Sequence, residues 1–144
     1  MQNPPPVQTS NAAPVQAAKS STGLDENIAG LLSYLLGWIG GLIFFLIEKD
    51  SRLVRFHAMQ SLLLNAVALV VGVVLWIASL ILAIIGSALA DALGALIWIV
   101  AMLIFCAFGL ALFAAAIMCM IKAYQSQYFK LPVIGNFAEK FSQK

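Results

Sequence analysis

The sequence predicts an all-α fold, an integral membrane bundle of three transmembrane helices with a disordered N-terminal tail and a short C-terminal interfacial helix. Three observations carry this expectation. Apolar residues make up 62% of the chain and charged residues only 10%, far from the soluble mixture of about half apolar and a quarter charged. Between Asn27 and Ile121 the chain divides into the uncharged runs Asn27 to Ile47, Ala58 to Ala90 and Ala92 to Ile121, interrupted only by a polar island from Glu48 to His57 and by Asp91. The Lys and Arg residues flank these runs and never enter them, which is how topology-setting charges are distributed in membrane proteins.

The elements follow in chain order. Residues 1–23 are rich in Pro, Gln, Ser and Ala, lack an apolar core, and read as a disordered tail; a cleaved signal peptide would need a basic start and an apolar run that this tail lacks. Residues 24–125 form the expected three-helix transmembrane domain, with spans at about 27–47, 58–86 and 91–121. As one helix the first run is about 31 Å long, matching a hydrocarbon core of about 30 Å, so it is expected to cross once. The second and third runs each exceed an upright span, yet each is too short for two spans and a turn, so each is expected to be one long helix. The break between them, Gly86 to Asp91, ends in an N-cap candidate, Asp91, for the third helix. Residues 126–144 form a cytoplasmic interfacial tail in which Phe137 and Phe141 share one face of a short helix after Pro132 and Gly135.

Three spans place Lys49, Arg52, Arg55, Lys122, Lys130, Lys140 and Lys144 on one side and Lys19 alone on the other. Four spans would divide the charges far more evenly. The positive-inside rule therefore favours three, in a bacterial inner membrane, with the N-terminus outside and the C-terminus in the cytoplasm.

Two stripes of small residues are candidate packing surfaces. Ala29, Ser33, Gly37 and Gly41 recur every four residues in the first helix, a ribbon that lets another backbone approach closely where apolar burial between helices gains little. Ala58, Asn65, Gly72, Ser79 and Gly86 recur every seven in the second, the period of a left-handed coiled seam. Asn65 is expected to face the bundle and bond to Ser33 or Tyr34. A single Asn cannot line a path across the bilayer, so it reads as interhelical glue rather than part of a conduit.

In the polar island, Glu48, Arg52 and Arg55 would cluster on one helical turn. Arg52, Arg55, His57 and Gln60 could then offer donors to lipid phosphates or to a partner's carboxylate, alongside the ordinary role of the Arg residues as positive-inside anchors. Cys106 and Cys119 lie about 220° apart around one helix and about 20 Å apart along it, which excludes a bridge between them within a straight helix. The sequence holds no Ser, His and acid set, no phosphate-cradling glycine loop and no zinc ligand cluster. The expectation is therefore no enzymatic activity, no cofactor and no metal. The expected partners are membrane lipids and a membrane protein or a second copy of the chain, with no nucleic acid and no small-molecule substrate identified.

Several strings carry a resemblance: Gly23-Leu24-Asp25-Glu26-Asn27, Tyr34 with Gly37-Trp38, Glu48-Lys49, Val54-Arg55-Phe56-His57-Ala58-Met59-Gln60-Ser61, and Lys130-Leu131-Pro132-Val133-Ile134-Gly135. Together they resemble a family of small prokaryotic membrane proteins that is distantly similar to the twenty-kilodalton channel-like component of the chloroplast inner-envelope import machinery. The resemblance implies a helical membrane bundle. The expected function is that of an accessory or assembly subunit, or a homo-oligomer, acting through helix packing, with a transport or protein-translocation component as the alternative.

Overall fold

A computed structural model describes residues 18–142. The first seventeen residues of the expected tail lie outside the described residues. Five helices follow one another: α1 (Glu26–Leu35), α2 (Gly37–Ile47), α3 (Arg52–Leu89), α4 (Asp91–Tyr124) and α5 (Ile134–Ser142). The fold is all-helical among the described residues, and the only β contact there is an isolated bridge between Lys19 and Asp25.

The largest departure from expectation is in the first apolar run. Instead of one helix it forms two short ones that fold back on each other. Leu36 caps α1 by donating its N–H to the Leu32 carbonyl at 3.2 Å. Gly37 follows with φ +62°, a left-handed conformation that costs a side-chain-bearing residue about 1–2 kcal/mol and suits glycine after a helix end. At Gly40, a Cβ would stand 2.8 Å from the Leu32 carbonyl oxygen and 2.7 Å from Leu36 Cβ, so only glycine lets the two helices turn this tightly. The ends of the excursion meet: the Ser21 N–H donates to Glu48 Oε1 at 3.0 Å, and the Lys49 N–H donates to Ser21 Oγ at 2.9 Å. A continuous helix across the run would hold these groups apart by more than 30 Å.

Residues 18–23, expected to belong to the disordered tail, form with Leu24 and Asp25 a compact turn against the island. Ser20 N–H donates to the Leu24 carbonyl at 2.8 Å, and Glu26 N–H to the Ala18 carbonyl at 3.0 Å. The polar sequence Lys19-Ser20-Ser21-Thr22-Gly23 is ordered by hydrogen bonds rather than by apolar burial, which composition alone does not reveal.

The second and third runs are single long helices, as expected. α3 has 38 residues and α4 has 34, about 57 and 51 Å of helix, both longer than a hydrocarbon core of about 30 Å. They form an antiparallel hairpin joined at Ala90, whose backbone is extended. Asp91 is the first residue of α4 rather than its cap and makes no capping hydrogen bond. Its carboxylate still lies at the end where the helix dipole favours negative charge. The hairpin seam is built from Ser79, Ala83 and Gly86 on α3 and Gly94 and Ala101 on α4, all buried. A Cβ at Gly94 would lie 2.8 Å from Ser87 Cβ, so the helices touch almost backbone to backbone.

Packing is concentrated at the other end of the hairpin. There α1 and α2 lie along the first turns of α3, and Ala29, Phe44, Val54 and Ala58 form one buried cluster. Tyr34, Cys119 and Ala123 form a second, joining α1 to the end of α4. α5 packs against α3 with Gly135, Ala138 and Ser142 buried, leaving Phe137 and Phe141 exposed on its outer face.

Candidate functional site

The island is a junction rather than a helical turn. Glu48 ends α2 in extended backbone, and α3 begins only at Arg52, so Glu48, Arg52 and Arg55 do not share one helix. Ser51 caps α3 by accepting the Val54 N–H at 3.2 Å. Glu48 is 1% exposed, and its carboxylate accepts from the Ser21 N–H, the Ser21 hydroxyl, the Asp50 N–H and the Ser51 N–H at 2.8–3.1 Å. Burial pushes this carboxyl up, but the N–H groups of Ser51, Ser21 and Asp50 and the Ser21 hydroxyl together outweigh it and hold it below the usual carboxylate range. From its spacing Glu48 is expected only to cluster with Arg52 and Arg55, not to be buried. The residues that engage it are brought there by the fold-back of α1 and α2, and no local signal shows that.

His57 is fully buried and joins three elements. Its Nε2 lies 3.0 Å from the Gln127 carbonyl oxygen, which can only accept, so Nε2 carries the proton. Its Nδ1 is then free to accept the Tyr34 hydroxyl at 3.3 Å. Phe56 and Tyr34 stand edge-on to the ring, with centroids 5.2 and 5.8 Å away, and Tyr128 packs on Phe56 at 5.4 Å. Gln60 is also fully buried, and its Nε2 donates to Cys119 Sγ at 3.3 Å on α4.

The expected donor set is therefore divided. Arg52 is exposed. Arg55 is half-buried, its guanidinium 5.5 Å from the Phe45 ring centroid. His57 and Gln60 point inward and tie helices together, so they cannot reach a lipid phosphate or an external carboxylate. The spacing on α3 accounts for the split: His57 and Gln60 are three residues apart on the face that receives α1 and α4, and that face is inside.

The two packing stripes meet different fates. Ala29, Ser33 and Gly41 are buried, with a Cβ at Gly41 falling 2.9 Å from the Ala58 carbonyl oxygen. Ser33 donates to the Ala29 carbonyl of its own helix at 2.9 Å. Gly37, instead of serving as a contact in a straight ribbon, is the break between α1 and α2, and its carbonyl accepts the Ser61 hydroxyl at 3.3 Å. On α3 the seven-residue stripe holds only in part. Ser79 is buried in the seam and donates to the Trp76 carbonyl at 2.8 Å. Gly72 has no neighbour within 4 Å of where a Cβ would stand. Asn65 donates to the Ser61 carbonyl of its own helix at 2.9 Å and does not reach Ser33 or Tyr34. The fold-back explains this, because the α1–α2 turn comes level with Ser61 and ends there, leaving Asn65 at its rim beside Trp38, Leu62, Ala66 and Leu69.

Beyond that level α3 and α4 stand alone. Leu69, Val70, Val74, Trp76, Ile84 and Leu103 are among the many large side chains left more than half exposed. Grooves along the seam are lined almost wholly by apolar atoms, with Ser79 the polar residue common to two of them.

Comparison with known proteins adds the following. Residues 22–138 match the model of a family described as the magnetosome magnetite crystal formation protein family. A UPF0132 membrane protein of Methanocaldococcus jannaschii is 44% identical over 125 residues, covering 87% of this chain and 96% of the relative. A second from the same organism is 38% identical over 123 residues, covering 83% and 71%. A UPF0132 membrane protein of Archaeoglobus fulgidus is 38% identical over 117 residues, covering 81% and 95%. No solved structure matches. None of these matches concerns the chloroplast import component.

Proposed function

This chain belongs to the magnetosome magnetite crystal formation protein family, whose relatives are named membrane proteins, and from that premise we propose that it is a non-enzymatic inner-membrane protein that acts through helix packing, as an accessory or assembly subunit. The observation that carries this reading is how the chain uses its polar groups. Tyr34, Glu48, His57, Gln60 and Ser61 are spent on hydrogen bonds that hold α1, α3, α4 and the segments beside them together, while the α3–α4 hairpin offers long apolar faces. A chain built this way anchors and associates. Membrane lipids cover the hairpin, and a membrane-protein partner or a second copy packs on part of it.

The test is crosslinking in native membranes from photoreactive residues placed at exposed hairpin positions such as Leu69 and Leu103, with mass spectrometry of the products. Reproducible adducts to one protein, or to a second copy, are expected. Adducts to lipid alone at every position would overturn the assembly role.

A further inference from the structure

We infer that α1 and α2 form a re-entrant hairpin, so that the described residues cross the membrane only twice, by α3 and α4, and carry residues 18–25, the start of α3 and α5, with every described cation, on one side. Four independent features converge on this.

The first is length. α1 and α2 have 10 and 11 residues, about 15 and 16 Å of helix, each roughly half a hydrocarbon core of about 30 Å. Neither crosses alone, and because they run in opposite directions they do not add up to a crossing.

The second is closure at the polar end. Ser21 before α1 and Glu48 and Lys49 after α2 are joined by direct hydrogen bonds of 2.9–3.1 Å, so whichever side holds one holds the other.

The third is the provision for the turn. A helix break at membrane depth is tolerated where its freed backbone groups find partners within the protein. Here the Leu36 N–H is used by the Leu32 carbonyl and the Gly37 carbonyl by the Ser61 hydroxyl. Around this turn Leu35, Leu36, Trp38 and Ile39 are all half exposed or more. A turn reaching water would be polar; this one is apolar and faces lipid.

The fourth is charge. With the hairpin folded back, Lys19, Lys49, Arg52 and Arg55 gather at the start of α3. Lys122 ends α4 at the same level, where Ala123 meets Gly30, and Lys130 and Lys140 lie on the segment packed against α3. At the far tip, the α3–α4 turn carries Asp91 and no cation. The three-span arrangement left Lys19 stranded on the opposite side. The re-entrant one leaves no described cation there, a stronger positive-inside asymmetry that assigns this end to the cytoplasm.

The consequence goes beyond the assembly reading and does not depend on it. Every described polar surface except the α3–α4 turn is presented to one compartment, so a soluble partner or a membrane-surface contact of residues 18–25 or of α5 must come from that side.

Single cysteines at the exposed positions Thr22, Lys49, Ala90 and Asn136, in a Cys106→Ala, Cys119→Ser background, test this with a membrane-impermeant maleimide on sealed vesicles of known orientation. Labelling of Thr22→Cys, Lys49→Cys and Asn136→Cys from one side, and of Ala90→Cys from the other, is expected. Labelling of Thr22→Cys from the side opposite to Lys49→Cys overturns the re-entrant hairpin, and labelling of Ala90→Cys from the same side as Lys49→Cys overturns the two crossings. Adding the maleimide to the same positions without the background changes controls for damage to the Gln60–Cys119 contact: the same pattern is expected, and a changed one counts against the topology.

Discussion

The two ends of the α3–α4 hairpin differ both in their polar residues and in what surrounds them. Near Arg52 and Tyr124, the helices are enclosed by α1, α2 and α5, and Phe56, His57, Gln60 and Cys119 lose all or nearly all contact with the surroundings. Toward Ala90 they meet only each other, and positions such as Leu82 and Leu103 stay more than half exposed. The difference shows that an apolar helix in this chain specifies structure only where polar anchors bring other elements against it. Where anchors are missing, small residues in the seam hold the pair together and the rest is left to lipid or to a partner.

Substitutions at the enclosed end and the bare end should therefore differ sharply. The largest expected effect is at Glu48. Glu48→Ala removes the acceptor shared by Ser21, Asp50 and Ser51, leaves buried N–H groups unpaired and should lower stability by about 3 kcal/mol, read by denaturation in detergent micelles. Leu103→Ala, at the bare end, should change it by less than about 1 kcal/mol in the same assay. Equal losses would erase the distinction.

Glycines sharpen it next. Gly41→Ala drives a methyl group into the Ala58 carbonyl oxygen and should cost about 2 kcal/mol. Gly72→Ala, with open space around it, should be neutral or stabilising by up to about 1 kcal/mol, because alanine favours the helix. The His57→Phe exchange keeps a ring but leaves the Tyr34 hydroxyl and Gln127 carbonyl without their partner, a loss of about 1–2 kcal/mol in the same denaturation measurement.

Acid should also act on one end only. Because the Glu48 carboxyl is held below its ordinary range in the folded chain, its contribution to stability is complete above the unfolded carboxylate pKa and fades as pH falls through the lower folded value. A pH series of denaturation curves should show the wild type losing stability on acidification, with that loss reduced in Glu48→Gln. The smallest expected effect is kinetic: a membrane-permeant maleimide should modify Cys119, buried at the enclosed end, only after that end opens.

How far the sequence reaches follows the same division. The bare end is legible, since Ala58 to Ala90 and Ala92 to Ile121 are uninterrupted apolar runs broken at a small-residue turn, and they form the two long helices. The short helix carrying Phe137 and Phe141 is legible too. The enclosed end is not. Asn27 to Ile47 has the length of a single crossing, and length masks the signals of a break, which in retrospect are Gly37 at a helix end with Gly40 and Gly41 one turn later. Nor does the order of residues disclose that Ser21 meets Glu48, because that contact exists only once the run has doubled back. For the candidate site, the composition of the Arg55-Phe56-His57 string marks the right region but not its direction: Arg52 faces out while His57 and Gln60 face in, a choice made by α1 and α4.

The central claim is that Asn27 to Ile47 returns to the side it started from, and a distance decides it. Spin labels on Thr22→Cys and Lys49→Cys, measured by EPR with the protein in bilayers, should lie within about 20 Å of each other, because Ser21 and Lys49 are in hydrogen-bond contact. A separation of about 40 Å, that of continuous helix between the two positions, would contradict the account.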